Sequence, residues 1–128
     1  MNTTPIAIVA FVALGGALGA VLRFGITGIA NTGPFPWGTF VVNVVGCFAA
    51  GFLVAVALHP GETTVGTRAF VLTGVLGGFT TLSTFSLETI QLLAGGRWVA
   101  GLANLALNGV VCVGATGLGF AVGALVAE

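Results

Sequence analysis

Arg23, Arg68 and Arg97, with Glu62, Glu88 and Glu128, are the only fully charged side chains in a chain of 128 residues. A soluble domain of this length would use about a quarter of its residues as charges to keep its surface in water. Six charges cannot do that, so the solvent for most of this chain is the bilayer. The fold expected is an all-α integral membrane protein. Most of the 22 glycines lie within apolar runs, where small residues let membrane helices approach closely. A formal net charge of zero argues against a nucleic-acid partner, which would demand a basic surface.

A helix crosses the hydrocarbon core with about 20 mostly apolar residues. Four stretches qualify: 5–29, 37–58, 68–93 and 98–126. They make residues 1–128 a single transmembrane domain with no room for a soluble one. The breaks between them are Asn31-Thr-Gly-Pro-Phe-Pro36, His59-Pro60-Gly61 and Ala94-Gly95-Gly96-Arg97, all rich in turn formers. Trp37 and Trp98 open the second and fourth spans, where interfacial aromatics belong. No basic side chain precedes the first run, so it is expected to be retained rather than cleaved as a signal peptide. With four spans, Arg68 lies on the side of the termini, and Arg23 and Arg97 lie on the other. One arginine against two is almost no vote on orientation. A single orientation and insertion both ways up therefore stay open on this count.

Polar groups within the spans narrow the function. Asn43 sits near the centre of the second span, where an unpaired amide would cost about 4–8 kcal/mol in pure hydrocarbon. Thr39, four residues earlier, shares its helical face. In the fourth span Asn104, Asn108, Cys112 and Thr116 recur every four residues, a spacing that puts them on one stripe. Two such stripes fit either a lined pathway or interhelical hydrogen-bonding glue. Cys47 and Cys112 read as small buried hydrophobes. No ionisable residue falls near the middle of a span: Arg23 lies near the end of the first, and Glu88 lies in the last part of the third. Proton-coupled transporters use buried ionisable relays, so passive conduction is favoured, with the sign of the ion left open. His59, beside Pro60 at a membrane edge, reads as an interfacial residue. No metal cluster, nucleophile–base pair or phosphate loop marks an enzyme.

The third span carries Gly74-Val-Leu-Gly77-Gly78-Phe-Thr80-Thr81 and then Leu82-Ser83-Thr84-Phe85-Ser86. Adjacent glycines weaken a helix by about 1 kcal/mol each. A break at them would free backbone groups, which is tolerated only where protein or a lined cavity receives them. The other reading is a continuous helix whose glycines pack closely and whose hydroxyls bond back to their own backbone.

Gly77-Gly78-Phe79-Thr80-Thr81-Leu82-Ser83-Thr84-Phe85-Ser86 resembles the signature of the CrcB/Fluc family of fluoride channels. Gly15-Gly16-Ala17-Leu18-Gly19-Ala20-Val21-Leu22-Arg23, Trp37-Gly38-Thr39, Val42-Asn43-Val44-Val45-Gly46 and Glu88 support the resemblance, which covers all four spans. It implies a fluoride-selective passive channel that exports fluoride from the cytoplasm through the plasma membrane, the bacterial inner membrane. It also implies an antiparallel dual-topology homodimer whose third helix is broken near its centre. A structural sodium ion would sit there on the backbone carbonyls of Gly77 and Thr80 from both subunits. Asn43 would line the pore; Thr81, Ser83 and Thr84, with Ser86 at their edge, would line a polar track. Arg23 would stand at an aqueous vestibule and attract anions. Asn108 and Cys112 are the fourth span's candidates for the lining. The family usually presents two phenylalanine ring edges, which carry partial positive charge. Here Phe85 keeps one and Leu82 replaces the other. Asn104 and Asn108 stand where smaller hydroxyls or an aromatic would be expected. Two other functions remain to be weighed: a small four-helix multidrug or cation exporter, which would need a carboxylate in the first span, and a non-transporting assembly subunit.

Overall fold

The computed structural model describes residues 4–58 and 63–127; the His59-Pro60-Gly61 turn lies outside them. Four helical stretches among the described residues are long and apolar enough to cross a membrane. We number the helices α1 (Pro5–Ala30), α2 (Trp37–Val56), α3 (residues 65–79), α4 (Leu82–Ala94) and α5 (residues 98–127). Helices α3 and α4 together form the third span. A 20-residue helix such as α2 is about 30 Å long, the thickness of the hydrocarbon core.

Local chemistry sets the ends. The Thr4 hydroxyl accepts the Ala7 N–H at 3.4 Å, and Pro5 takes the first helical position, where its missing N–H is no loss. Thr64 caps α3 by accepting the Thr67 N–H at 3.1 Å. The third span therefore begins at Val65 rather than at Arg68, because a capping hydroxyl, not the charge, marks the start. Helix α4 ends at Ala94, and the chain turns away at Gly96, whose φ of 74° is a left-handed conformation suited to glycine. Arg23 does not close the first span. Helix α1 continues through Phe24 to Ala30, because nothing in that stretch breaks it, and Arg23 lies inside the helix.

Helix α1 packs along α3, α2 packs along α5, and α4 packs on the first part of α5. Glycine makes these pairings close. A Cβ on Gly19 would run into the Val75 carbonyl and the Phe79 amide of α3; one on Gly51 would strike the Thr116 carbonyl of α5. The interior is not oily. Its buried apolar side chains are Val42, Ala55, Leu58, Phe79, Phe85 and Leu92, and its buried polar ones are Thr39, Asn43, Thr81, Thr89, Asn104 and Asn108. Large apolar side chains such as Val9, Phe24, Ile29, Val99 and Val110 face outward instead. In water that exterior would be untenable. In lipid it is well solvated, and the polar groups must find partners inside. The chain is a multi-pass membrane protein.

The hydrogen-bonding pattern widens to π-helix at Ala69–Leu76 in α3 and at Leu107–Val111 in α5. The second widening shifts the register of α5. The stripe expected from strict four-residue spacing consequently divides. Asn104 and Asn108 are buried, Cys112 is half-buried, and Thr116 is exposed.

Replacing Gly51 with leucine should force α2 and α5 apart at a cost of about 1–3 kcal/mol. Gly28→Leu, at a position with open space around it, should leave stability unchanged. Thermal unfolding of the two variants in detergent separates these outcomes; equal midpoints would contradict the close α2–α5 packing.

Candidate functional site

Helix α3 runs through Gly77 and Gly78 without disturbance, since Gly77 keeps helical angles (φ −63°, ψ −36°). The backbone turns extended two residues later, at Thr80 (φ −83°, ψ 156°) and Thr81 (φ −149°, ψ 112°). The glycines are therefore not the point of departure. They serve packing: a Cβ on Gly78 would press on the Gly16 carbonyl of α1, and one on Gly74 on the Gly15 Cα. What draws the chain out of the helix is Asn43. Its Oδ1 accepts the Thr81 N–H at 2.8 Å, and its Nδ2 donates to the Thr81 carbonyl at 3.2 Å. One side-chain amide thus takes both backbone groups of a single residue, as a neighbouring strand would.

The backbone accounting at this point leaves specific oxygens over. Thr80 N–H makes the last helical bond, to Leu76 O at 3.0 Å. In an unbroken helix Thr81 N–H would close on Gly77 O, but it goes to Asn43. Thr84 N–H would close on Thr80 O, but it goes to the capping hydroxyl of Thr81 at 3.1 Å. The carbonyls of Gly77 and Thr80 are so released, and those of Gly78 and Phe79 with them, since Leu82 and Ser83 open α4 and their N–H groups make no bond back to the preceding helix. Gly78 O takes Arg23 Nε at 3.1 Å. That places a cation at a helix C-terminus, where it opposes the helix dipole. It also gives an intramembrane guanidinium a partner.

From Asn43 the amides continue as a relay across three helices. Asn43 Nδ2 donates to Asn108 Oδ1 at 3.0 Å, and Asn108 Nδ2 donates to Asn104 Oδ1 at 3.0 Å. Asn104 Nδ2 donates to Thr89 Oγ1 at 2.9 Å, and Thr89 donates to the Phe85 carbonyl at 2.8 Å. The direction is fixed at its first link. A backbone N–H can only donate, so Asn43 must turn its oxygen to Thr81 and its nitrogen to Asn108. Reversing any later amide would set donor against donor. Every amide in the relay is engaged at both ends.

Asn43, Thr80, Thr81, Leu82, Phe85, Asn108 and Cys112 line a hollow of about 240 Å³, together with Cys47 and Gly109. Most sequence-derived candidates thus meet in one place. Leu82 sits at its open side, 75% exposed, while Phe85 is 8% exposed. Gly77 and Thr80 line a second hollow with Gly46, Leu76 and Thr116. Ser83 and Thr84 line neither; they gather round the Thr81 hydroxyl at 3.3 and 3.0 Å. Ser86 is exposed and bonds back to Leu82 O at 2.8 Å.

A further polar group forms where α1, α2 and α4 approach. The Thr39 hydroxyl donates to Glu88 Oε1 at 2.8 Å, Asn31 Nδ2 donates to the same oxygen at 3.4 Å, and Asn31 Oδ1 accepts the Gly38 N–H at 2.6 Å. Glu88 Oε2 is buried with no partner. Sequence reasoning did not select Asn31, Thr89 or Cys47. Asn31 was absorbed into a turn, Thr89 sits among other hydroxyl-bearing residues of α4, and Cys47 has no polar neighbour in sequence.

The family described as "CrcB-like protein, Camphor Resistance (CrcB)" matches residues 10–120. A protein of Opitutus terrae named "Fluoride-specific ion channel FluC" is 48% identical over 114 residues, covering 85% of this chain and 86% of its own. One of Desulforapulum autotrophicum with the same name is 42% identical over 119 residues, covering 91% and 95%. One of Magnetococcus marinus, again with that name, is 41% identical over 121 residues, covering 92% and 98%.

Truncating Asn108 to alanine interrupts the relay and leaves buried donors and acceptors on Asn43 and Asn104 without partners. The cost should be about 1–3 kcal/mol per orphaned group, against roughly 0.5 kcal/mol or less for Ser86→Ala on the exposed face. Denaturant unfolding in detergent micelles measures both; similar values for the two would show that the relay carries no weight.

Proposed function

The chain belongs to the CrcB-like family, and from that membership we propose that it is a fluoride-selective channel. It lets fluoride leave the cytoplasm passively and so lowers its toxicity. The observation that carries the proposal is the hollow beside the extended Thr80-Thr81 segment. There Asn43, Thr81 and Phe85 converge at the centre of an otherwise apolar protein, in a chain whose relatives are named fluoride-specific ion channels. Amide and hydroxyl hydrogens and the positive edge of the Phe85 ring replace the water a small anion sheds. Because both donors of Asn43 are already in use, an entering anion takes an N–H by exchange. A donor released in this way rejoins the relay when the ion moves on.

The working form in this reading is an antiparallel dual-topology homodimer in the bacterial inner membrane. The exposure of Leu82 beside the hollow and the near balance of arginines between the two sides support it. The broken third span also suits a structural sodium ion at the dimer centre. The donor set fits: of the carbonyls relieved of helical partners, those of Gly77 and Thr80 belong to residues that line one hollow, and carbonyl rings are how membrane proteins hold such cations. When bound, the ion would be held by the carbonyls of Gly77 and Thr80 and would supply positive charge at the break. Arg23 supplies charge beside the break while it tethers Gly78.

The exporter alternative is not favoured, since α1 carries no carboxylate. The assembly-subunit alternative does not account for a relay that ends at a hollow.

Purified protein in liposomes should release fluoride, followed with a selective electrode under a potassium gradient with ionophore. Chloride release at a comparable rate, or no release of either ion, would overturn the reading. Leu82→Phe should keep fluoride over chloride, and its loss would show that aromatic edges do not act at this position. In a background lacking Cys47 and Cys112, a cysteine at exposed Val65 should react with an impermeant reagent from both faces of the membrane; reaction from one face only rules out dual topology.

A further inference from the structure

Cys47 on α2 and Cys112 on α5 are free thiols, each half-buried. Both line the hollow that holds Asn43 and Asn108. The close packing of Gly51 and Gly119 against the facing backbones fixes α2 against α5 and so sets the two sulfurs relative to each other. We propose that Cys47 and Cys112 form a two-coordinate site for a soft divalent d10 cation, with mercury(II) as its type.

Three arguments select this ligand class. Thiolates prefer soft ions. The site offers two ligands and no more. Among the described residues no group of three or more His, Cys, Asp or Glu side chains gathers. The nearby amide oxygens are occupied, Asn43 Oδ1 by Thr81 N–H and Asn108 Oδ1 by Asn43 Nδ2. Zinc, whose sites use three or four protein ligands, finds only two thiols here, whereas mercury(II) is content with two sulfurs in line. The third argument is charge. One mercury(II) ion and two thiols give a neutral bis-thiolate, with two S–H bonds exchanged for two S–Hg bonds and two protons released to water. A neutral product avoids burying charge in an apolar setting; a monovalent soft ion on the same thiolates would leave a net negative charge there.

The site rests on helix pairing rather than on transport, so its test uses no fluoride. The full chain in detergent is titrated with mercury(II) chloride while free thiols are counted with a chromogenic disulfide and the sulfur-to-mercury absorbance is followed in the ultraviolet. One equivalent should consume both thiols. Cys47→Ala and Cys112→Ala should each weaken binding by roughly a hundredfold or more, the gain that a second linked ligand provides. Three results overturn the proposal: two equivalents needed for two thiols, single variants that bind as tightly as the unsubstituted chain, or tight binding restored by mixing the two variants, which would place the site between copies. The stoichiometry is read on the unsubstituted chain, so the test survives a variant that fails to fold.

Discussion

A backbone N–H in hydrocarbon has no water to fall back on, and the amide of Thr81 is the point on which this structure turns. It leaves the helical ladder because Asn43 accepts it. Once it does, the chain must be extended there, α4 must restart with the Thr81 hydroxyl as its cap, and the last carbonyls of α3 lose their helical partners. The polarity of that one donor then orients three asparagines in turn, through α5 to Thr89 on α4. A single unavoidable donor thus organises the interrupted span and its neighbours.

The same arrangement explains why interhelical glue and a lined pathway were hard to separate by residue type. Asparagines in a membrane do both when their bonds are exchangeable. A relay whose members are fully paired costs little at rest. It ends at a hollow lined by Asn43, Thr81 and Phe85, where, in the proposed reading, an anion substitutes for one partner. The inside-out composition, polar within and apolar without, follows from the solvent being lipid and from there being no second place to put an amide. Close glycine contacts complete the scheme, since helices held at backbone distance keep the relay's hydrogen bonds near 3 Å.

Much of this was legible in residues alone. Turn formers and apolar runs placed the four spans within a few residues, and the motif from Gly77 to Ser86 marked the region of interest. The location of the departure from helix was misplaced by two or three residues. Propensity points to the glycines, whereas the residues that turn extended are those with a partner in α2. Charge usually marks an interface, yet pairing with the Gly78 carbonyl lets Arg23 lie within α1. The four-residue stripe of α5 assumed a regular helix, and the π-helical turn at Leu107–Val111 divided it.

The sequence by itself determined the solvent, the number of crossings and the residues rich enough in hydrogen-bonding groups to matter. These follow from composition and period, which are local properties. Only the tertiary structure decided which amide faces which: Asn43 to Thr81, Asn108 to Asn43, Asn104 to Thr89. Helix pairing in lipid is set by where glycines allow backbones to touch, and no spacing along a single helix encodes the register of its neighbour.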